Sequence, residues 1–146
     1  MSVKLVSPPV EEPVSLEEAS AHLRLESGED EYIADLISTA RRHCESFQGR
    51  AYIAQTWNLW LNAFPCGCIK VPLPPLQEIT FIRYKDSAGI PQTLDPPDYA
   101  VDVFSEPGLI CRAYGKSCPA TYPEINSAQI RFVAGYGAAA NVPGSD

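Results

Sequence analysis

The chain has 146 residues, with 18 acidic against 11 basic side chains (net charge −7), 45% hydrophobic residues, 14 prolines and five cysteines. That composition describes one globular domain over residues 1–146, and a chain of this size buries roughly 68–70% of its extended surface without needing a metal or a disulfide. The longest uncharged run, between Ala51 and Lys70, is interrupted by Gln55, Asn58, Asn62 and Pro65, which excludes a membrane-spanning helix.

The opening stretch Met1 to Pro9 holds one Lys and too short an apolar run for a secretory signal, so the expected compartment is the cytosol and the five cysteines are expected to be reduced. Charge is uneven. Residues 1–48 hold ten acids and four bases, for a net of −6, while residues 49–146 stand at −1. A helical third this acidic is unsuited to gripping phosphates, so nucleic acid is disfavoured as a tightly bound ligand there.

Pro8, Pro9 and Pro13 make the start extended. Ser15 with Glu18 forms a capping box, and Leu16, Ala19 and Leu23 share a face, which predicts a short helix over 16–24. After a turn at Glu26-Ser27-Gly28-Glu29, Ile33, Leu36, Ile37, Ala40, Cys44 and Phe47 recur at helical spacing up to Gly49, a left-handed cap. This second helix is expected to bury Ile33, Leu36, Ile37, Ala40 and Phe47 against the first helix or a sheet.

From residue 51 the pattern alternates. Gln55–Ala63 reads as a strand burying Trp57, Leu59 and Leu61, and Ile69–Val71 returns the chain after Pro65-Cys66-Gly67-Cys68. Glu78–Lys85 and Ile90–Leu94 form a hairpin about Asp86-Ser87-Ala88-Gly89. Tyr99–Phe104, Leu109–Arg112 and Ala128–Tyr136 complete the strands, with a loop from Ala113 to Asn126. Two helices (about 15–49) followed by short strands (about 52–137) without crossover helices make an α+β fold with an antiparallel sheet.

Little in this chain carries reaction chemistry. Gly135-Tyr136-Gly137-Ala138-Ala139-Ala140 fits a dinucleotide fingerprint, but Pro143 and Gly144 leave no helix to hold a pyrophosphate, so a flexible turn is expected. Cys66, Cys68, Cys111 and Cys118 supply enough sulfur for a zinc module, yet their gaps of one and six residues do not fit zinc knuckles. A thiol hydrolase using Cys111 or Cys118 needs an imidazole, and the only histidines, His22 and His43, lie on predicted helices. Asp95, Asp98 and Asp102 around Pro96-Pro97 read as turn caps. Lys70-Val71-Pro72-Leu73-Pro74-Pro75-Leu76 lacks the register of a polyproline ligand and reads as a stiff connector. No catalytic, cofactor-binding or metal-binding residue is assigned.

The order of segments resembles that of the head-tail connector proteins of tailed bacteriophages and prophages, small adaptors beneath the portal ring. The resemblance rests on Lys4-Leu5-Val6-Ser7-Pro8-Pro9, Pro13-Val14-Ser15-Leu16-Glu17-Glu18-Ala19, Thr39-Ala40-Arg41-Arg42 running to Gly49-Arg50-Ala51, and Gln55-Thr56-Trp57. It continues in Pro72-Leu73-Pro74-Pro75-Leu76, Leu94-Asp95-Pro96-Pro97-Asp98-Tyr99 and Ala134-Gly135-Tyr136-Gly137. It implies a non-enzymatic virion assembly protein that forms a ring against the portal and tail-completion proteins, assembled in the host bacterial cytoplasm and located at the head-tail junction. DNA is expected to pass through its channel without sequence-specific binding. Family members continue past a Val-Pro like Val142-Pro143 into hydrophobic helices, which are absent from a chain stopping at Asp146. With them absent, the isolated chain is expected to associate weakly, and Trp60, Tyr84 and Tyr122 are expected to face neighbours.

Overall fold

The computed structural model describes residues 1–26 and 28–143, so Ser27 of the predicted interhelical turn and the last three residues lie outside it. The clearest product of the sequence pattern is β8 (Ala128–Ala134), where Ala128, Ile130, Phe132 and Ala134 are completely buried and the alternating residues are not. Period-two apolar spacing puts these four on one face of the pleat. Beside β8 lies β2 (Gln55–Leu61) on one side and β4 (Leu76–Lys85) on the other.

The N-terminal arm forms β1 (Ser2–Ser7), which pairs antiparallel with β2 so that Val3 faces Leu59 and Leu5 faces Trp57. The extended reading of this segment holds, and the structure adds its partner. β5 (Pro91–Thr93) completes the predicted hairpin with β4, giving a five-stranded antiparallel sheet in the order β1-β2-β8-β4-β5. Pro91 sits on an edge strand, where a missing N–H breaks no ladder.

A second sheet holds β3 (Ile69–Val71), β7 (Gly108–Arg112) and β6 (Tyr99–Asp102), in the order β3-β7-β6. The sequence predicts an antiparallel sheet, and the structure divides the strands between two. Both serve one core, since Ile69, Val71 and Ile110 cluster with Leu59, Leu76, Ile82 and Phe132. Gly108 allows this approach, because a Cβ there would stand 2.6 Å from the Leu76 side chain. The Pro72–Pro75 stretch links β3 to β4, as a connector should.

Helix α1 (Leu16–Leu23) begins at the predicted capping box, with Ser15 Oγ accepting from Glu18 N at 3.1 Å and Ser15 N donating to Glu18 Oε2 at 2.8 Å. Helix α2 (Asp30–Gln48) ends at Gly49, whose φ of 66° is the left-handed cap read from the sequence. The burial of α2 departs from expectation. Ile33 is buried, but Leu36 is 44% and Phe47 87% exposed, and Ala40 and Cys44 also face outward. Helical periodicity defines a stripe, and it does not say whether the chain's own sheet or another molecule covers it.

The cysteines depart as well. Cys68 and Cys111 form a disulfide, while Cys44, Cys66 and Cys118 are free thiols. Antiparallel pairing of Ile69 with Ile110 places residues 68 and 111 opposite each other, with a Cα separation of 4.3 Å. That spacing suits a directly opposed, non-hydrogen-bonded pair. A 43-residue separation conceals the pairing from any reading of linear spacing.

Candidate functional site

The residues weighed for chemistry do not converge. The disulfide takes Cys111 away as a nucleophile and takes two of the four sulfurs away from a zinc module. Among the described residues no group of three or more His, Cys, Asp or Glu side chains is placed to hold a metal ion. Cys118 Sγ lies 3.8 Å from the carbonyl oxygen of Pro65 and borders a small apolar cavity with Phe64, Ile82 and Tyr99, and no histidine lines that cavity. His22 and His43 sit on α1 and α2, both exposed.

Two of the three aspartates act as structural ligands, and Asp95 does not make the cap expected of it. Asp102 accepts from the backbone N–H of Phe104 at 2.9 Å and of Ser105 at 3.2 Å, and from the Ser105 hydroxyl. The Ser105 hydroxyl, followed by the two N–H groups, holds the Asp102 carboxyl below its ordinary pKa. Asp98 pairs with Lys116 at 3.0 Å. Asp95 precedes a short 3-10 turn over Pro96–Asp98 without a side-chain cap.

The glycine segment after β8 is a turn, as expected, but it is tied on both sides. Gly135 N donates to Pro75 O at 2.9 Å, Tyr136 N to Tyr52 O at 2.8 Å, and Ala54 N to Gly137 O at 2.9 Å. Gly135 has φ of 121°, and a Cβ there would lie 2.4 Å from the Ile53 carbonyl oxygen. Glycine is therefore required by backbone packing, which accounts for the Ala-Gly-Tyr-Gly sequence without a nucleotide.

The most connected polar cluster has no counterpart among the motifs of the sequence. Arg41 is 6% exposed, its Nε donating to Glu12 Oε2 at 2.6 Å and one terminal nitrogen to Glu45 Oε2 at 2.6 Å. Glu45 Oε1 in turn accepts from Tyr52 N at 2.8 Å and from the buried Gln55 side chain at 2.6 Å. Arg41, Glu45 and Gln55 thus tie α2 to β2 and to the arm before α1. Burial opposes the Arg41 cation, but Glu12 and Glu45 outweigh it and hold its pKa above the ordinary arginine value. Arg50 bonds Tyr136 and Glu106, joining the end of α2 to the turn after β8. Three residues that carry the sequence resemblance, Arg41, Arg50 and Gln55, therefore hold the helical part against the sheets. The signal available in sequence was the i,i+4 pair Arg41 and Glu45. Glu12 lies 29 residues from Arg41 and gave none.

Several other surface features are apolar. An open groove of about 330 Å³ runs between α1 and α2, lined by Val14, Ala19, Leu23, Ile33, Leu36 and Cys44 among others. Elsewhere Phe104 and Tyr114 are almost wholly exposed, and Tyr122 is 39% exposed. Trp60 is half-buried. Tyr84 departs from expectation: it packs on the core, edge-on to Phe64 with ring centroids 5.6 Å apart. Among the described residues no helix is long and apolar enough to cross a membrane.

No protein-family model matches the chain, and no curated protein matches it in sequence. Solved structures do. A chain from the neck of the empty gene transfer agent (GTA) particle, computed with C6 symmetry, superposes with a TM-score of 0.80 at 23% identity, over 98% of this chain and 76% of that one. A chain of the native GTA virion gives 0.79 at 23% identity, with the same coverage of both chains. One from the native GTA neck, computed with C12 symmetry, gives 0.63 at 21% identity, over 98% of this chain and 75% of that one. The chain therefore shares its fold, over nearly its whole length, with chains of the GTA neck and virion.

Proposed function

We propose that this chain is a structural virion protein of the neck, a head-tail connector subunit that forms a ring beneath the portal and extends the DNA channel toward the tail. The observation that carries this reading is the superposition on a GTA neck chain over 98% of the sequence. The neck reconstructions, computed with sixfold and twelvefold symmetry, support a cyclic arrangement. The residues of the sequence resemblance agree, since Arg41, Arg50 and Gln55 do architectural work.

Such a protein acts by geometry. Copies related by rotation present one surface to the next subunit, and closure of the ring fixes the channel diameter. A net charge of −7 suits a channel wall that DNA must traverse without adhering, because carboxylates repel phosphates. Exposed apolar and aromatic groups at Leu36, Phe47, Phe104 and Tyr114 provide the area that neighbours bury. Assembly of the ring beside the portal, from subunits that associate weakly alone, is part of this reading.

Deletion of the gene from its phage or phage-like element tests the proposal. Packaged heads that lose DNA or fail to join tails are expected, with rescue by the gene in trans. Normal yield of infectious or DNA-transferring particles from the deletion would overturn it.

A further inference from the structure

We infer that the groove between α1 and α2 receives the Tyr114 turn of a second copy of this chain. The inference rests on the ring reading and identifies the two surfaces through which adjacent subunits meet. A cyclic assembly requires a head-to-tail contact between two different patches of the same molecule. Two such patches stand out by shape and by charge.

The receiving patch is the apolar groove of about 330 Å³, in which Ala19 and Leu23 of α1 face Ile33, Leu36 and Cys44 of α2. The helices around it carry exposed Glu17, Glu18, Asp30, Glu31 and Asp35, and residues 1–48 have a net charge of −6. The one deeply buried cation of α2, Arg41, is already neutralised by Glu12 and Glu45. The groove is thus apolar, in a helical region whose ten acids outnumber its four bases, exposed Arg24 and Arg42 among them.

The inserting patch is the turn just after β7. Tyr114 has a relative exposure of 105%, with exposed Arg112 and Lys116 on either side. Residues 112–123 contain these two cations and no acid. Lys116 is paired with Asp98 at 3.0 Å, and Arg112 donates to the backbone oxygen of Cys66 at 3.3 Å. The turn is held at its base by the Cys68–Cys111 disulfide, by Ala113 N donating to Asp98 O at 3.1 Å, and by Lys116 N donating to Ala113 O at 3.1 Å. An aromatic side chain projecting from an anchored turn loses little conformational freedom on docking, which is the property of an interface anchor. Its cationic setting complements the acidic helices, and complementary charge selects register and partner.

Cys44 lies in the groove and is a free thiol, so the contact is trapped by Tyr114→Cys in the full chain with Cys66→Ser and Cys118→Ser. Under mild oxidation, Cys44 should link to position 114 of another copy and give a ladder extending beyond dimers. The link should exceed that of a Phe104→Cys control, a position of similar exposure, by several-fold, because the anchored turn and Arg112 still carry position 114 to the groove although the Tyr114 ring itself is gone. It should weaken as salt screens the opposed charges. A yield no greater than the control, or links confined to dimers, overturns the docking. Particle formation by the gene deletion decides the ring reading separately, so a functional neck with no preferred Cys44 link would refute this contact alone.

Discussion

The strand β8 and the helix α2 carry two of the most regular apolar patterns in the chain, and they end in opposite environments. Ala128, Ile130, Phe132 and Ala134 on β8 have no solvent exposure, whereas on α2 the stripe from Ile33 to Phe47 is buried at its start and open at its end. The difference lies in what faces each element. β8 is central, flanked by β2 and β4, and its inner face meets residues from the second sheet. α2 is tied to the remainder largely through a charged network, Arg41 to Glu12 and Glu45 and on to Gln55. The sheets are held by burial of apolar area, while the helices are positioned by polar bonds that leave an apolar face uncovered. On the proposed ring reading, this division lets a subunit be stable alone and still join neighbours.

Substitutions can break that comparison. Phe132→Ala should cost about 3–5 kcal/mol in reversible unfolding, because a fully buried ring is removed from a core that collapses only in part. Reduction of the Cys68–Cys111 bond should come next, at about 2–4 kcal/mol for a loop of this order. Its check is a lowered unfolding midpoint in reductant, together with a purified mass two hydrogens below that of the all-thiol chain. Arg41→Met should cost about 2–3 kcal/mol, since Glu12 and Glu45 lose a cation in a largely buried setting. Its loss should be accompanied by faster amide exchange in α2 than in β8.

Phe47→Ala provides the sharpest contrast with Phe132→Ala. An 87% exposed ring removed from α2 should change stability by less than about 0.5 kcal/mol. A cost near that of the core residue would show that α2 buries its whole stripe. The smallest effect concerns acid. The Asp102 carboxyl is held below its ordinary pKa by Ser105 and the Phe104 N–H, so it favours the folded state above the unfolded-state carboxylate pKa. That contribution is lost as pH falls through the lower folded value. Asp102→Asn should therefore flatten the acid limb of stability against pH and leave neutral behaviour nearly unchanged, as thermal melts across the acid range would record.

How far the sequence carried the fold follows from which interactions are local. The capping box at Ser15, the Gly49 cap, the β4–β5 hairpin and the alternation of β8 depend on neighbours within a few residues and were legible, whereas β2 was legible as a strand but buries Gln55 and Asn58 and only partly covers Trp57. The pairing of Cys68 with Cys111 depends on the register of β3 against β7, which no local pattern encodes. The division into two sheets is likewise tertiary, and the close approach of Gly108 to Leu76 that accompanies it has no local signature. Arg41 looked like surface charge because its partner Glu12 belongs to the proline-rich arm. Tyr84 reads as an outward aromatic because the loop residue Phe64, which packs against it, is 20 positions away in the chain. Phe47 was assigned to the core for the opposite reason, since a helical stripe records that an apolar face exists and not what covers it. The groove that this face helps to define was consequently invisible in the sequence.

Electron cryo-microscopy of intact particles, purified from the source that encodes this chain, tests the central claim most directly. The account predicts density for this fold, repeated around the channel axis at the neck, with the α1–α2 face of one copy against the Tyr114 turn of the next. Particles with a complete neck from which this chain is absent would contradict it.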